Sequence, residues 1–264
     1  SLFIQPRFIA WFRKKHSGGQ PIRDDGPQGH FSKKGTPTMG GLIVIFATTI
    51  AFLLFADLSN VMVWVTLLVF LGYASLGFAD DYLKVTKKNT KGVSARMKLA
   101  AQFGLAAIAM GILTYFRPEF PTTVSLPFIK DWSLDLGYLF IPFAAFVIVG
   151  ASNAVNLTDG LDGLVTGPVM TVAFTYGIFS YVCGNAKIAE YLQLQYIAGA
   201  GDLSILASAI IAAGLGFLWF NAHPAKVFMG DVGSLSLGGG IGALAVATKN
   251  EILQSEERRV GKEC

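Results

Sequence analysis

Residues 61–82 read VMVWVTLLVFLGYASLGFADDY, an uncharged apolar run that ends abruptly at two adjacent aspartates. The run from Val61 to Ala79 contains no Asp, Glu, Lys or Arg. A helix that crosses the hydrocarbon core of a bilayer needs roughly 20 apolar residues. The stretch therefore predicts a transmembrane helix with a pair of carboxylates where the chain leaves the membrane.

Six further stretches resemble this one in length and composition. They are Met39–Leu58, Leu99–Phe116, Leu136–Ser152, Leu164–Cys183, Leu203–Phe220 and Gly233–Thr248. Ser1–Phe12 is interpreted as the end of an earlier span. The chain is 53% hydrophobic and 14% charged, whereas soluble domains contain about 25% charged residues. We predict an all-α, polytopic transmembrane helix bundle with about seven spans and part of an earlier one. The alternative is a soluble protein with seven buried helices, but a chain of this length has too few polar residues to cover them.

Positive charge between the spans predicts the orientation of the chain. The segments Arg13–Thr38 and Asp80–Lys98 each contain six Lys or Arg residues, whereas Ser59–Asn60 contains none. Basic connections usually remain on the cytoplasmic side. Counting spans from these loops also places Asn153–Gly163 and Asn221–Val232 on the cytoplasmic side.

This arrangement brings aspartates from three distant stretches to one membrane face. They are Asp80, Asp81, Asp159, Asp162 and Asp231. Acidic side chains near a membrane boundary are costly and are usually functional. A single one would be explained as a helix cap, but five in loops rich in Gly and Asn predict a functional site.

The pair Asp80-Asp81 is followed by Lys84, Lys91 and Lys98. Carboxylates that bind Mg²⁺ beside ammonium groups are suited to phosphate chemistry. The alternative is a solvated helix end whose lysines only fix the orientation. We predict a site that joins a metal ion and a phosphate.

The segment Asn153–Gly163, NAVNLTDGLDG, contains amides, a hydroxyl and two carboxylates between two spans. Asp159 and Asp162 are three residues apart, so a helical turn would place them on one face. An ordinary reverse turn remains the alternative, although such a turn does not need so many polar side chains.

The segment Asn221–Ser234 forms a third polar cluster before the last span. Gly230 and Gly233 would open backbone N–H groups at a helix N-terminus, which is suited to binding phosphate. Phe228 is interpreted either as a surface for a nucleobase or, equally, as an aromatic anchor at the membrane interface. His223 is interpreted as structural.

A fourth motif, GTPTMGG at Gly35–Gly41, opens the first full span. It is either an ordinary entry into a helix or a place where Lys33, Lys34 and Thr38 contact phosphate.

Together these motifs resemble the phospho-N-acetylmuramoyl-pentapeptide transferase (MraY) family. The motifs that carry the resemblance are Gly35–Gly41, Phe78–Tyr82, Asn153–Gly163 and Val227–Ser234, with Asp24–Pro27 and His30–Ser32 in addition. The resemblance extends from about Ser1 to Gln254. It implies transfer of phospho-MurNAc-pentapeptide from UDP to undecaprenyl phosphate, which gives lipid I and UMP at the first membrane step of peptidoglycan synthesis. It also implies a ten-helix homodimer in the bacterial inner membrane with a Mg²⁺-dependent cytoplasmic site.

The resemblance assigns roles to individual residues. Asp231 would bind Mg²⁺, and Asn153 would offer a carbonyl oxygen. Asp80 would activate the lipid phosphate with support from Asp81, and Lys84 or Lys98 would neutralise that phosphate. The nucleotide-sugar would be bound by Lys33, Thr38, Asn156, Asp159, Asp162, Asn221, Phe228, Gly230 and Ser234. A covalent aspartyl-phosphate route remains open beside direct transfer.

The two ends of the chain depart from the family. The resemblance implies that most of the family's first helix would precede Ser1, and that after Gln254 the family continues with two helices and a histidine-rich loop that would form one wall of the site. We expect one transmembrane catalytic domain over residues 1–254, shortened at both ends, followed by a non-native tail at 255–264, SEERRVGKEC.

Two rival functions remain. A sister enzyme that transfers GlcNAc-1-phosphate to a polyprenyl phosphate would share the Asp-Asp and Asn-Asp clusters, although the Gly35–Gly41 and Val227–Ser234 motifs favour the muramoyl enzyme. A transporter would place its carboxylates in the middle of broken spans, whereas here they gather at one face. Nothing in the sequence indicates a nucleic-acid partner.

Overall fold

The structure is a computed structural model that describes residues 1–15, 36–87, 92–125, 133–192 and 194–251. Its helices are α1 (Gln5–Lys15), α2 (Gly41–Phe55), α3 (Val61–Lys87), α4 (Ala95–Phe116), α5 (Phe140–Thr158), α6 (Thr166–Cys183), α7 (Ala186–Tyr191), α8 (Leu203–Asn221) and α9 (Gly230–Ala247). All seven predicted spans are therefore helices, and the predicted all-α bundle is confirmed.

Five of the described helical segments are long and apolar enough to cross a membrane. They are Val61–Lys87, Ala95–Phe116, Gly137–Thr158, Ala200–Asn221 and Gly230–Ala247. Two of the seven predicted spans fall outside this group. Helix α2 is apolar but shorter, and α6 contains hydroxyl residues such as Thr171, Thr175 and Ser180.

Helix α9 is the centre of the bundle. Every residue from Val232 to Ala247 is buried, and α3 and α5 pack against it. The packing depends on glycine, because a Cβ at Gly238 would lie 2.7 Å from the Ser152 Cα and one at Gly240 would lie 2.9 Å from the Phe70 ring. Small residues allow close approach of helices that gain nothing from hydrophobic contact inside a lipid phase.

Hydroxyl groups connect the same three helices. Ser236 Oγ donates to the Phe70 carbonyl at 2.7 Å, and Ser152 Oγ donates to the Leu235 carbonyl at 2.9 Å. Hydrogen bonds between helices satisfy polar groups that cannot reach water in a membrane. They fix α9 between α3 and α5, which sets the position of its first turn.

The remaining elements cover this centre. Helices α6 and α8 pack side by side, and α2 contacts α8 and α9. A two-stranded antiparallel hairpin, β1 (Thr123–Ser125) and β2 (Ser133–Asp135), lies between α4 and α5 with Val124 opposite Leu134. The sequence analysis did not predict this hairpin, because strands of three residues leave almost no alternation to detect.

Candidate active site

Three carboxylates from two helices meet at one end of the bundle. Asp80 and Asp81 lie on α3, and Asp231 lies in the first turn of α9. One oxygen from each lies within 4.8 Å of the others. We predicted Asp80 and Asp81 at a helix end, which was wrong: α3 continues to Lys87, because Tyr-Leu-Lys-Val-Thr-Lys can extend the helix although it is too polar to extend the span.

Two lysines pair with these carboxylates. Lys84 Nζ lies 2.5 Å from Asp80 Oδ2 and 3.1 Å from Asp231 Oδ2. Lys98 Nζ, which comes from α4, lies 3.3 Å from Asp80 Oδ2 and 2.8 Å from Asp231 Oδ2. Among the described residues, the cluster therefore holds three carboxylates and two ammonium groups, and it would carry an excess of negative charge that favours a further cation when all three carboxylates are ionised.

Asp80 is held on both of its oxygens. Its Oδ1 accepts a hydrogen bond from the Val93 backbone N–H at 2.8 Å, while its Oδ2 faces the two lysines. Its side chain is 1% exposed. A Cβ at Gly92 would overlap the Asp80 carboxylate, so the chain entering α4 can approach it only because residue 92 is glycine. The geometry makes Asp80 an anchor for the lysines and for this segment.

Asp81 binds the beginning of α9. Its Oδ2 accepts a hydrogen bond from the Val232 N–H at 3.1 Å. Gly230 has a φ of 78°, and a Cβ there would lie 2.5 Å from Asp81 Oδ2 and 3.0 Å from Thr38 Oγ1. We predicted that this helix N-terminus would cradle a phosphate. In the structure one of its N–H groups, that of Val232, donates to a carboxylate of the chain itself, an arrangement that the helix dipole also favours.

The donor set fits a hard divalent cation. Mg²⁺ prefers oxygen ligands and is usually held by one or two carboxylates together with substrate phosphates. Asp81 Oδ1 is buried and has no hydrogen-bond partner among the described residues, and Asp231 is the most exposed of the three carboxylates, at 19%. Asp80, Asp81 and Asp231 form a group that could hold a metal ion.

The segment after α5 separates its two aspartates. Helix α5 ends at Thr158, and residues 159–165 form turns, so the predicted helical turn with Asp159 and Asp162 on one face is wrong. Partial burial, together with the nearby charges of Asp231 and Asp81, raises the pKa of Asp159 to about 8. Asp159 therefore belongs electrostatically to the carboxylate cluster.

Asp162 turns toward a different neighbour. Its Oδ2 lies 3.2 Å from His223 Nδ1 and accepts a hydrogen bond from the Ala225 N–H at 3.2 Å. His223 is 78% exposed. The contact joins the loop after α5 to the loop before α9, so both loops share one surface.

The other predicted substrate residues differ in how deeply they are buried. Thr38 and Ser234 are fully buried, and Asn221 is 2% exposed. Asn221 accepts a hydrogen bond from Thr166 Oγ1 and donates to the Val227 carbonyl, so it holds the loop that precedes α9. Phe228 and Gly230 are half-buried, and Lys33 lies outside the described residues.

Two residues of this region were missed by the sequence analysis. Gln102 on α4 accepts a hydrogen bond from Asn153 Nδ2 at 2.8 Å, and Gly92 approaches Asp80. A single Gln in an apolar span could have drawn attention, because an amide there needs a partner. Gly92 gives no such signal, since its role depends on a contact across the fold.

The fold and the site define a polytopic membrane protein with buried carboxylates and lysines gathered at one end of its helix bundle. The chain belongs to glycosyl transferase family 4, whose model matches residues 63–249. Residues 33–45 also match the phospho-N-acetylmuramoyl-pentapeptide-transferase signature 1. The family match covers α3 through α9 and thus every element that forms the carboxylate cluster.

Several curated relatives bear the name phospho-N-acetylmuramoyl-pentapeptide-transferase. The chain is 58% identical to the one from Citrifermentans bemidjiense and 57% identical to the one from Geobacter sp. strain M21, each over 234 residues. It is 54% identical to the one from Syntrophus aciditrophicus over 235 residues. In each case the match covers 89% of this chain and 65% of the relative, so the chain spans just under two thirds of the length of these relatives.

Proposed function

We propose that this chain is part of an enzyme that transfers phospho-MurNAc-pentapeptide from UDP-MurNAc-pentapeptide to undecaprenyl phosphate, forming lipid I and UMP. The observation that carries the proposal is the cluster of Asp80, Asp81 and Asp231 with Lys84 and Lys98. The names of relatives at 54–58% identity support the choice of substrates. An oxygen of the lipid phosphate would bond to the β-phosphorus of the nucleotide while the bond from that phosphorus to the bridging oxygen breaks and UMP leaves.

Asp231 is the proposed principal ligand of Mg²⁺. When bound, Mg²⁺ supplies positive charge for the diphosphate and for the leaving UMP. Asp231 is more exposed than Asp80 or Asp81, so its carboxylate can be reached from the side where a substrate would enter. Asp81 keeps the first turn of α9 in place through the Val232 N–H. A one-step transfer requires no further nucleophile from the chain.

Lys84 and Lys98 are the proposed phosphate ligands. Both ammonium groups contact Asp231 Oδ2 and Asp80 Oδ2, so an arriving phosphate would compete with carboxylates already in position. Phosphoryl transfer depends mainly on positioning and charge neutralisation. A lipid phosphate is already largely ionised at neutral pH, so the role that we predicted for Asp80 as a base is less important than its hold on the two lysines.

The nucleotide end of the substrate is assigned to the surface shared by the loops after α5 and before α9. Phe228 is half-buried and would stack with the uracil ring, while Asp159 and Asp162 border the same surface and would accept hydrogen bonds. Asn221 and Thr38 would support this surface from below, because both are buried. Lys33 completes the proposed set from outside the described residues.

The proposed location is the bacterial inner membrane, with the carboxylate cluster at the cytoplasmic face. The basic segments around Lys84 and Lys98 support that orientation. A homodimer is proposed from the resemblance to the family alone. These assignments would make the protein part of cell wall synthesis, and hence of cell shape and division.

Release of UMP by the purified complete gene product tests the proposal. We expect release only when UDP-MurNAc-pentapeptide, undecaprenyl phosphate and Mg²⁺ are all present. Faster release from UDP-GlcNAc than from UDP-MurNAc-pentapeptide would assign the protein to the sister activity. If neither nucleotide gives UMP and the protein conducts ions in liposomes, the protein would be assigned as a transporter and not as an enzyme.

A further inference from the structure

The end of the bundle opposite Asp231 exposes large aromatic and apolar side chains. Five of them come from the last turn of α4, from the residues just before α5 and from the end of α7, and we call them the outer collar: Tyr115, Tyr138, Leu139, Tyr191 and Leu192. Tyr138 is 95% exposed and Tyr191 is 85% exposed. A large exposed apolar surface usually marks contact with another molecule or with a membrane.

The outer collar lies about one bilayer thickness from the carboxylate cluster. Helix α9 begins beside that cluster, and its 18 residues at about 1.5 Å each span about 27 Å. Lys249, just after the end of α9, lies 4.0 Å from the centre of the Phe140 ring, and Phe140 directly follows Leu139 of the collar. The hydrocarbon core of a bilayer is about 30 Å thick. When the beginning of α9 lies at one membrane boundary, the collar therefore lies at the other.

The exposed face of α4 leads into the outer collar. Helix α4 is long and apolar enough to cross a membrane. Ile108 and Tyr115 are both exposed, and they are seven residues apart, so about two helical turns place them on one face. Between them, nothing lies within 4 Å of a Cβ at Gly111. The surface that meets lipid chains along α4 thus continues to Tyr115.

Polar groups behind the outer collar are paired within the chain. Arg117 Nη2 donates to the Ala198 carbonyl at 3.1 Å, and Asn60 Nδ2 donates to the Gly199 carbonyl at 2.8 Å. Asn185 Oδ1 accepts hydrogen bonds from backbone N–H groups in the first turn of α7. A segment that contacts lipid has to satisfy its backbone groups internally. These bonds do so for the connections that carry the collar.

We propose that the outer collar is a membrane anchor whose rings insert among the lipid headgroups at the boundary opposite the carboxylate cluster. Tyrosine suits this position because its ring is apolar and its hydroxyl is polar, and tyrosine is enriched at both boundaries of a membrane. Helix α7, which has six residues, lies in this interface with Ala189 buried against the protein. Tyr191 and Leu192 contact the lipid.

The anchor has a consequence for the carboxylate cluster. Since α9 connects the outer end of the bundle with Asp231, a collar fixed at one boundary also fixes the depth of Asp231 at the other. The anchor goes beyond the proposed function, because it concerns membrane contact and holds whichever reaction the protein performs.

The test places a nitroxide label on a single cysteine in the complete gene product, from which the native cysteines have been removed. Tyr138→Cys and Tyr191→Cys carry the label in the collar. Ile108→Cys is the control for a site that faces lipid. Glu119→Cys is the control for a site in water, because Glu119 is an exposed carboxylate that pairs with Arg117.

Electron paramagnetic resonance in liposomes of phosphatidylethanolamine and phosphatidylglycerol measures two collision rates for each label. Oxygen concentrates in the lipid, and a nickel chelate stays in the water. We expect the ratio of oxygen to nickel collisions at Tyr138→Cys and Tyr191→Cys to be several times that at Glu119→Cys and below that at Ile108→Cys, because the collar lies at the boundary.

Two results would overturn the anchor. Nickel collisions as frequent as at Glu119→Cys would place the collar in water. Rare collisions with both reagents would show that protein covers the collar, either another part of the gene product or a second copy of it.

Tyr191→Trp keeps an aromatic ring and provides a second measurement in case a label disturbs folding. The fluorescence that it adds to that of wild type should be quenched by phosphatidylcholine brominated near the glycerol end of its chains. Iodide in the water should quench it little, whereas Glu119→Trp should show the reverse pattern. Quenching of Tyr191→Trp by iodide alone would contradict the anchor.

Discussion

The two ends of α9 both bury charged groups, but in different proportions. At its beginning, Asp231 joins Asp80 and Asp81 against Lys84 and Lys98. Just after its end, Lys249 and Glu251 form a closed pair at 2.8 Å, 4% and 1% exposed. One cluster has more carboxylates than cations, and the other is balanced one to one. We propose that a cation completes the first cluster, whereas the second is balanced by the described residues themselves.

The lysine of the balanced pair also lies close to two aromatic rings. Lys249 Nζ lies 4.0 Å from the centre of the Phe140 ring and 5.7 Å from that of Phe120. Burial lowers the pKa of Lys249 and raises the pKa of Glu251, and each partner's charge opposes the shift of the other. Such a pair holds a chain segment in place, and we assign it no part in the proposed reaction. Imbalance of charge, more than burial, distinguishes the end of α9 that we propose to be functional.

The largest effect is expected from Asp231→Asn. Loss of the proposed metal ligand should reduce UMP release about a thousandfold or more, equivalent to about 4 kcal/mol. The folded protein should not be less stable without divalent cations, because two carboxylates then face two lysines. Steady-state assays and thermal melting of the same preparations measure both quantities.

Asp57→Asn is the control for that variant. Asp57 is an exposed carboxylate in the loop between α2 and α3, where it accepts hydrogen bonds from Ser59. UMP release should equal that of wild type. If Asp231→Asn keeps full activity, Asp231 is not the principal metal ligand and the cation must be assigned to other residues.

Breaking the balanced pair should have the next largest effect, and on stability alone. Lys249→Met leaves Glu251 buried without its cation, which typically costs about 3–5 kcal/mol. The double variant Lys249→Met/Glu251→Leu should recover most of that loss, because an apolar pair replaces an ion pair of similar volume at little net cost. Denaturation in detergent measures the free energy of unfolding.

The activity of the folded fraction completes this comparison. It should be unchanged in the double variant, because the pair lies at the far end of α9 from Asp231. Equal instability of the single and double variants would show that the pair contributes packing alone. A loss of activity without a loss of folded protein would link the two ends of α9.

A smaller effect is expected where α3 approaches the first turn of α9. A Cβ at Gly77 would overlap the Asp231 backbone carbonyl and the Val232 Cα. Gly77→Ala should therefore displace Asp231, lower UMP release and destabilise the protein by about 1–3 kcal/mol.

Gly111→Ala is the matched control on α4, since nothing lies within 4 Å of a Cβ at that position. Alanine favours a helix over glycine by about 0.5–1 kcal/mol, so this variant should be neutral or slightly more stable, with full activity. Equal behaviour of the two variants would contradict the close contact between α3 and α9.

The helices could be predicted from the sequence because the signal for a membrane span is local. Each apolar stretch, such as Leu99–Phe116, needs about the same length to cross a bilayer, and its neighbours do not alter that requirement. Counting spans then placed Asp80 and Asp231 at one face, and the structure brings them together. The parity of spans is a strong constraint because a helix that crosses must emerge on the other side.

The details of the site could not be predicted because they depend on contacts between helices. Nothing near Asp81 in the sequence indicates that it would bind the Val232 N–H at the beginning of α9. Helical spacing suggested a shared face for Asp159 and Asp162, but α5 ends at Thr158, before either residue, and Asp162 contacts His223. Gln102 was not recognised as a site residue because it lies in an apolar span and its partner Asn153 is 51 residues away in the sequence.

The most direct test of the central claim is the effect of Mg²⁺ on thermal stability in detergent. A cation that binds the folded state alone at about 100 times its Kd stabilises it by about 2.7 kcal/mol. We predict that Mg²⁺ raises the Tm of wild type, that NaCl at equal ionic strength does not, and that Asp231→Asn abolishes the rise. An equal rise in wild type and Asp231→Asn, or no rise in either, would contradict the account of an incomplete charge cluster at the beginning of α9.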